Sequence, residues 1–122
     1  MIEIRNLRKY FPIKGGFFNK NYGEVKAVEN VSFKIPEGEI LGLVGESGSG
    51  KTTLGRSIIR LIEPSEGEIL YDDKNILDYS EKEMRKLRKD FQIIFQDPFA
   101  SLDPRKKVFN IIAQGLKIHT NM

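Results

Sequence analysis

Residues 45–52, Gly-Glu-Ser-Gly-Ser-Gly-Lys-Thr, restrict what this chain can fold into more than any other stretch. The run fits G-x-x-x-x-G-K-[ST], the P-loop spacing in which glycine-rich backbone wraps a phosphate. The preceding segment, Glu39-Ile40-Leu41-Gly42-Leu43-Val44, is short and apolar, which predicts a strand buried on both faces. The following segment, Thr52 to Leu61, carries apolar residues at helical spacing, and Pro64 predicts a helix end near Glu63. A nucleotide's phosphates must be held without water but not without hydrogen bonds. Gly45, Gly48 and Gly50 admit backbone conformations that a Cβ would forbid, so successive N–H groups can form an anion nest. The helix that follows adds unpaired N–H donors and the positive end of its dipole. Lys51 is expected to reach the β- and γ-phosphate oxygens as a point charge, and Thr52 to place its hydroxyl on Mg²⁺. Ser49 and Thr53 are further hydroxyl candidates, and Glu46 and Ser47 complete the candidate nucleotide-binding loop.

A chain of 122 residues suffices for one modest domain. With 30% charged residues and a net charge of +3, Lys and Arg are interspersed with Asp and Glu, which reads as a solvated mixed-charge surface and not a nucleic-acid patch. The absence of cysteine excludes disulfides and thiolate metal sites, and fits a reducing cytoplasm. Glu3, Arg5, Arg8 and Lys9 interrupt any signal-peptide core, and no run approaches the ~20 apolar residues of a membrane helix. Work at a membrane is expected only through partners.

Residues 2–11 read as a strand ended by Pro12, and residues 12–24 as a loop that holds Phe17, Phe18 and Tyr22. Residues 25–35 alternate, with Val25, Ala27, Val31, Phe33 and Ile35 in one phase and Val28 in the other, as in a half-buried antiparallel strand. A short strand is expected at 68–71 and a turn at 72–75. Ser80 and Glu83 fit a capping box that starts a helix to about Lys89. Phe91–Phe95 reads as a buried strand, residues 96–105 as a loop with two Asp-Pro steps, and Val108, Ile111, Ile112, Gly115 and Leu116 as one face of a helix.

The run Gln96-Asp97-Pro98-Phe99-Ala100-Ser101-Leu102-Asp103-Pro104-Arg105 resembles the Q-loop of ABC transporter ATPases, in the form found in the peptide and nickel (oligopeptide and dipeptide) importer branch. Leu7–Pro12, Lys26–Val28 and Leu61–Ile69 are similar to that branch as well, so the resemblance covers residues 1–116. It implies an α/β fold, the N-terminal part of a P-loop NTPase core with an antiparallel β subdomain. Residues 1–105 would be the partial ATPase core and 106–122 the start of a truncated helical subdomain. By the same resemblance Gln96 reaches Mg²⁺ and the attacking water, as an amide that donates and accepts at once can do. Tyr22 stacks on adenine, with Tyr10 as the alternative. The loop Gln96–Arg105 and the following helix face transmembrane permease subunits, and a second ATPase subunit completes a homo- or heterodimer. The implied cofactors are ATP and Mg²⁺, and the implied location is the inner face of the cell membrane, peripheral and cytoplasmic.

The resemblance also identifies what these residues do not contain: no L-S-G-G-Q signature and no apolar strand ending in Asp-Glu. His119 follows a helix and not a strand, so it does not match the family's switch histidine. The expectation is therefore an ATP-binding subunit fragment of an oligopeptide-type importer that binds nucleotide weakly and does not turn it over alone. Its open parallel-strand edge should favour self-association. The alternatives are a non-hydrolysing nucleotide-binding fragment or another P-loop NTPase. A GTPase should carry N-K-x-D, which is absent, and a kinase an Arg-rich lid, which the Gln96 loop does not resemble. An ABC protein of DNA repair would be told by a coiled-coil or zinc insertion.

Overall fold

Two long strands open the chain and pair with each other. β1 (Ile2–Gly15) and β2 (Lys20–Ile35) form an antiparallel ladder, with Ile2 opposite Ile35 and Phe11 opposite Val25. β3 (Glu66–Tyr71) pairs antiparallel with the other side of β1, and β4 (Lys74–Asn75) pairs with β3, giving the order β2-β1-β3-β4. The computed structural model describes residues 1–15 and 20–120, and the side chains of residues 14, 15 and 20–22 fall outside that description. The expectations for Phe17, Phe18 and the Tyr22 side chain therefore lie outside the described residues.

β1 runs past Pro12 instead of ending there. Its pairing with β3 stops at Arg8, so beyond that point β1 has one ladder, and the missing proline donor can face the open side. The pattern in β2 also differs from simple alternation. Val28 is the buried residue and Val25 is exposed. Register shifts between Ile4 and Tyr10 accompany left-handed conformations at Asn6 (φ 47) and Asn30 (φ 49), and each extra residue moves the following side chains to the opposite face. The resulting core joins Ile4, Leu7, Val28, Ile69 and Ile76 with Leu54. Each such side chain contributes about 1.5–3 kcal/mol by leaving water. Gly67 (φ 106) lets β3 approach, since a Cβ there would lie 2.7 Å from the Arg5 and Asn6 carbonyl oxygens.

Helix α1 (Lys51–Ile58) ends five residues before the expected stop at Glu63. Arg60 takes a left-handed conformation (φ 51) and closes a Schellman turn: its N–H donates to the Ser57 carbonyl at 3.0 Å, and the Leu61 N–H to the Arg56 carbonyl at 2.8 Å. Glycine ordinarily fills this position. Here the Arg60 guanidinium offsets the strain by donating to the Ile76 carbonyl (2.8 Å) and the Tyr79 carbonyl (3.0 Å) and pairing with Glu63 (3.1 Å). Proline 64 thus stands well outside the helix it was expected to end.

By contacts the chain divides into Met1–Tyr79 and Ser80–Met122. In the second unit, α2 (Glu81–Leu87) starts on the expected capping box. The Ser80 hydroxyl oxygen accepts from the Glu83 N–H (3.4 Å), and the Glu83 carboxylate accepts from the Ser80 N–H (2.8 Å) and hydroxyl (2.6 Å). Those bonds, the hydroxyl's first, hold the Glu83 carboxyl below its ordinary range. Asp97 and Asp103 each fold the chain after themselves, Asp97 by accepting the Phe99 and Ala100 N–H groups and Asp103 by accepting that of Arg105. α3 (Val108–His119) follows, as expected.

Two expected strands do not form. Residues 39–44 and 91–95 belong to none of the four strands, and Ile40, Val44 and Ile94 are 96%, 95% and 91% exposed. The sequence predicts a buried strand in each segment, with the 39–44 strand buried on both faces as in a parallel sheet. A parallel strand obtains its partners from chain far away in sequence, and among the described residues the ladders are all antiparallel. The antiparallel β subdomain stands as expected.

Candidate phosphate-binding site

The P-loop and β2 touch backbone to backbone. Gly50 is the N-cap of α1 with φ 92 and ψ 0, and a Cβ there would lie 2.0 Å from the Ala27 carbonyl oxygen. This distance and the left-handed conformation make glycine obligatory. Gly48 (φ 80) also lies in the left-handed region, with open space around it. Gly45 is confined more softly, by the Ser49 hydroxyl at 2.8 Å from a built Cβ. The Ser49 N–H donates to the Glu46 carbonyl at 3.2 Å and closes the turn.

At the start of α1, the Leu54 N–H is the first to find a helix carbonyl, that of Gly50 at 2.8 Å. The amides of Lys51, Thr52 and Thr53 have no acceptor within the helix, and Gly50 supplies no side-chain cap. Lys51 lies back over the loop. Its Nζ donates to the Gly45 carbonyl (2.6 Å), to the Glu46 carbonyl and to the Ser49 hydroxyl (3.3 Å). All three acceptors are neutral, and no carboxylate pairs with Lys51 among the described residues. The loop therefore holds an uncompensated cation beside three unpaired helix amides, which is an electrostatic environment for an anion.

Two hollows flank this arrangement. One of about 220 Å³ is lined by Val25–Ala27, Gly48, Gly50 and Lys51–Thr53. The other, of about 440 Å³, is lined by Lys26–Glu29, Val31, Leu43–Gly45, Ser49–Lys51 and Leu54. Gly45, Gly48, Ser49, Gly50, Lys51, Thr52 and Thr53 are thus brought together as the sequence predicts, with Glu46 and Ser47 in the same loop and the Thr52 side chain exposed. Gln96 is exposed in the second unit, which is described by itself.

Sequence reasoning missed Lys26, Ala27 and Glu29. The contact of Gly50 with Ala27 brings this part of β2 to the loop, across more than twenty residues of chain, and no local pattern encodes that approach. Glu29 anchors a small polar network. The Tyr10 hydroxyl donates to it at 3.0 Å, Lys26 pairs with it at 3.2 Å, and Arg8 stands 3.9 Å away. The Lys26 ammonium also lies over the Tyr10 ring, 5.5 Å from its centroid. The hydrogen bond from Tyr10 lowers the Glu29 pKa, whereas partial burial, with the Glu29 charge, raises that of Tyr10.

Comparison with known proteins places this geometry. A family model described as "ABC transporter" matches residues 28–121. The chain is 51% identical over 120 residues to the oligopeptide transport ATP-binding protein AppF of Bacillus subtilis, covering 98% of the chain and 36% of that protein. It is 49% identical over 119 residues to the glutathione import ATP-binding protein GsiA of Salmonella paratyphi A, covering 98% of the chain and 19% of that protein. A putative peptide import ATP-binding protein of Brucella ovis is 47% identical over 118 residues, covering 97% and 35%. The chain thus spans about a third or less of the length of these relatives. Among solved structures, the dimeric bacterial ABC transporter cassette MJ0796 superposes with a TM-score of 0.79 at 30% identity, covering all of the chain and 49% of that one. A post-hydrolysis dimer of MJ0796 bound to ADP and Pi gives 0.63 at 31% identity, over 73% and 35%.

Proposed function

The chain belongs to the ABC transporter family, and from that premise we propose that it is the phosphate-holding part of an importer's ATP-binding subunit, of the oligopeptide type. The observation that carries this reading is Lys51. Its ammonium is fixed on the Gly45 and Glu46 carbonyls, unpaired with any acid among the described residues, beside the uncapped amides of α1. The ligand is ATP. Its phosphates would meet the amides of Lys51–Thr53 and the Lys51 ammonium, within the loop from Gly45 to Thr53. The residues present fit the group: the left-handed Gly48 and Gly50 leave the cradle free of Cβ atoms, and the Thr52 hydroxyl is exposed in the first helical turn where Mg²⁺ would take it. When bound, Mg·ATP supplies the phosphoanhydride and the metal charge on its oxygens.

The finer roles rest on the family pattern. Gln96 would orient water near the metal, and an aromatic ring, Tyr22 or Tyr10, would stack on the base. Gln96–Arg105 and α3 would meet transmembrane permease subunits on the inner face of the membrane, and a second ATPase subunit would complete the site. Among the described residues, no helix is long and apolar enough to cross a membrane. The relatives at 47–51% identity are oligopeptide, glutathione and peptide import ATP-binding proteins by name.

A second reading, binding without turnover, is favoured for these 122 residues by themselves, since they contain neither L-S-G-G-Q nor a strand ending in Asp-Glu. Calorimetric titration with ATP, beside a hydrolysis assay, tests both. Binding that weakens more than about tenfold in Lys51→Ala, the size of a lost charge-assisted hydrogen bond, is the expected outcome. Equal affinity in wild type and Lys51→Ala would refute the site. Steady-state hydrolysis that disappears with Lys51→Ala would refute the second reading.

A further inference from the structure

The P-loop hollows contain a second cation that belongs to no motif. Lys26 lines both of them, and in the smaller hollow it and Lys51 are the two charged side chains among the lining residues. Its position there follows from the backbone. Ala27 is locked against Gly50, so the residue before it must stand at the mouth of the loop, opposite the first turn of α1. The ammonium is not buried or committed: the side chain is 61% exposed, held 3.2 Å from the Glu29 carboxylate and stacked over the Tyr10 ring. Glu29 is itself engaged by the Tyr10 hydroxyl at 3.0 Å, with Arg8 at 3.9 Å. Releasing Lys26 would therefore leave Glu29 with two partners and not alone.

We propose that Lys26 is a second phosphate-side cation of the P-loop site, parked on Glu29 and Tyr10 and transferred to the polyphosphate of the incoming nucleotide. This rests on the reading of the loop as a nucleotide site and adds a residue that the motif does not include. The energetics favour the exchange. The Lys26–Glu29 pair is solvent-exposed and so weak, whereas a polyphosphate carries several charges within reach of a four-carbon stem. Lysine suits the task because its ammonium is a point charge on a flexible chain, able to follow the ligand without fixed geometry. Glu29 has an opposing effect. It positions Lys26, but its own charge faces the larger hollow and repels the same anion.

The test is calorimetric titration of the full chain with two probes, ATP and inorganic tripolyphosphate. Lys26→Met should weaken both by about two- to fivefold, the range of an exposed charge contact. It should also lower the salt dependence of binding, while Lys26→Arg restores both. Glu29→Gln should strengthen both probes or leave them unweakened. Lys51→Ala is the control that separates the two claims. If Lys51→Ala abolishes binding and Lys26→Met leaves both probes at wild-type affinity, Lys26 has no such role although the loop is the site. If Lys51→Ala leaves binding intact, the loop reading and the role of Lys26 fall together. Loss of ATP affinity in Lys26→Met without loss of tripolyphosphate affinity would also overturn the proposal, because it would place Lys26 on the base and not on the phosphates. Thermal melts of each variant establish that the fold is retained, as substitution of an exposed side chain should allow.

Discussion

The β1–β2–β3 sheet and the segments 39–44 and 91–95 are all rich in apolar β-formers, yet only the sheet is built from them. β1 and β2 are joined by a short connection and find each other as a hairpin, and β3 adds to the free edge of β1 through the Gly67 approach. Ile4, Leu7, Val28 and Ile69 are consequently buried. Ile40, Val44 and Ile94 are at least nine-tenths exposed, because a parallel strand depends on partners distant in sequence. The β1–β2 ladder is local, β3 joins it as an antiparallel strand from a distant part of the chain, and no parallel ladder forms among the described residues.

That contrast can be broken most forcefully in the core. Leu7→Ala or Ile69→Ala should cost about 2–5 kcal/mol in urea unfolding, whereas Ile40→Ala should stay within ~0.5 kcal/mol. A substantial loss at Ile40 would mean that residues 39–44 are packed in solution. The double variant Ile40→Lys, Val44→Lys should likewise leave stability unchanged while reducing self-association in size-exclusion chromatography, since it removes the exposed apolar run.

Next in size is the loop that follows residues 39–44 and touches β2. Gly50→Ala combines a clash at 2.0 Å from the Ala27 carbonyl with a left-handed backbone, so it should destabilise by about 1–3 kcal/mol or more and abolish ATP binding. Gly48→Ala meets open space and should carry the conformational strain alone, about 1 kcal/mol. Equal effects would show that the contact with β2 is not what holds the loop.

A smaller effect is expected in the second unit. Ser80→Ala removes both the cap acceptor and a donor to Glu83, which should cost about 1 kcal/mol of α2 stability by circular dichroism. The smallest is pH-dependent and belongs to the sheet. Glu3 accepts hydrogen bonds from Arg5 at 2.9 and 3.1 Å and pairs with Lys34 at 3.2 Å, and the Arg5 bond in particular lowers its pKa. A carboxylate depressed on folding stabilises above its ordinary pKa, and that stabilisation is lost as pH falls through the lower folded value. The melting temperature should therefore drop below about pH 4.5, and Glu3→Gln should flatten part of that drop. An unchanged slope would assign the acid sensitivity to Glu29, Glu83 and Asp103, which are depressed as well.

The legible parts of the sequence were those whose cause is local. The glycine spacing of 45–52, the Ser80–Glu83 box and the helical face of Val108–Leu116 each depend on residues within a turn or two. The parts that were not legible depend on distant contacts. The early end of α1 is set by Arg60 reaching Ile76 and Tyr79, and the buried phase of β2 by bulges at Asn6 and Asn30. The position of Lys26 follows from a backbone contact between Gly50 and Ala27. In each case the sequence names the residues but not the neighbour that decides their conformation.

Hydrogen exchange with and without ATP reads the sheet, residues 39–44 and the P-loop in one experiment. Amides in β1, β2 and β3 should exchange slowly and those in 39–44 fast, regardless of ligand. On adding ATP, new protection should appear at residues 45–53, and Lys51→Ala should eliminate it. Exchange at 45–53 that ATP leaves unchanged in the wild-type chain would mean that the P-loop does not hold the nucleotide.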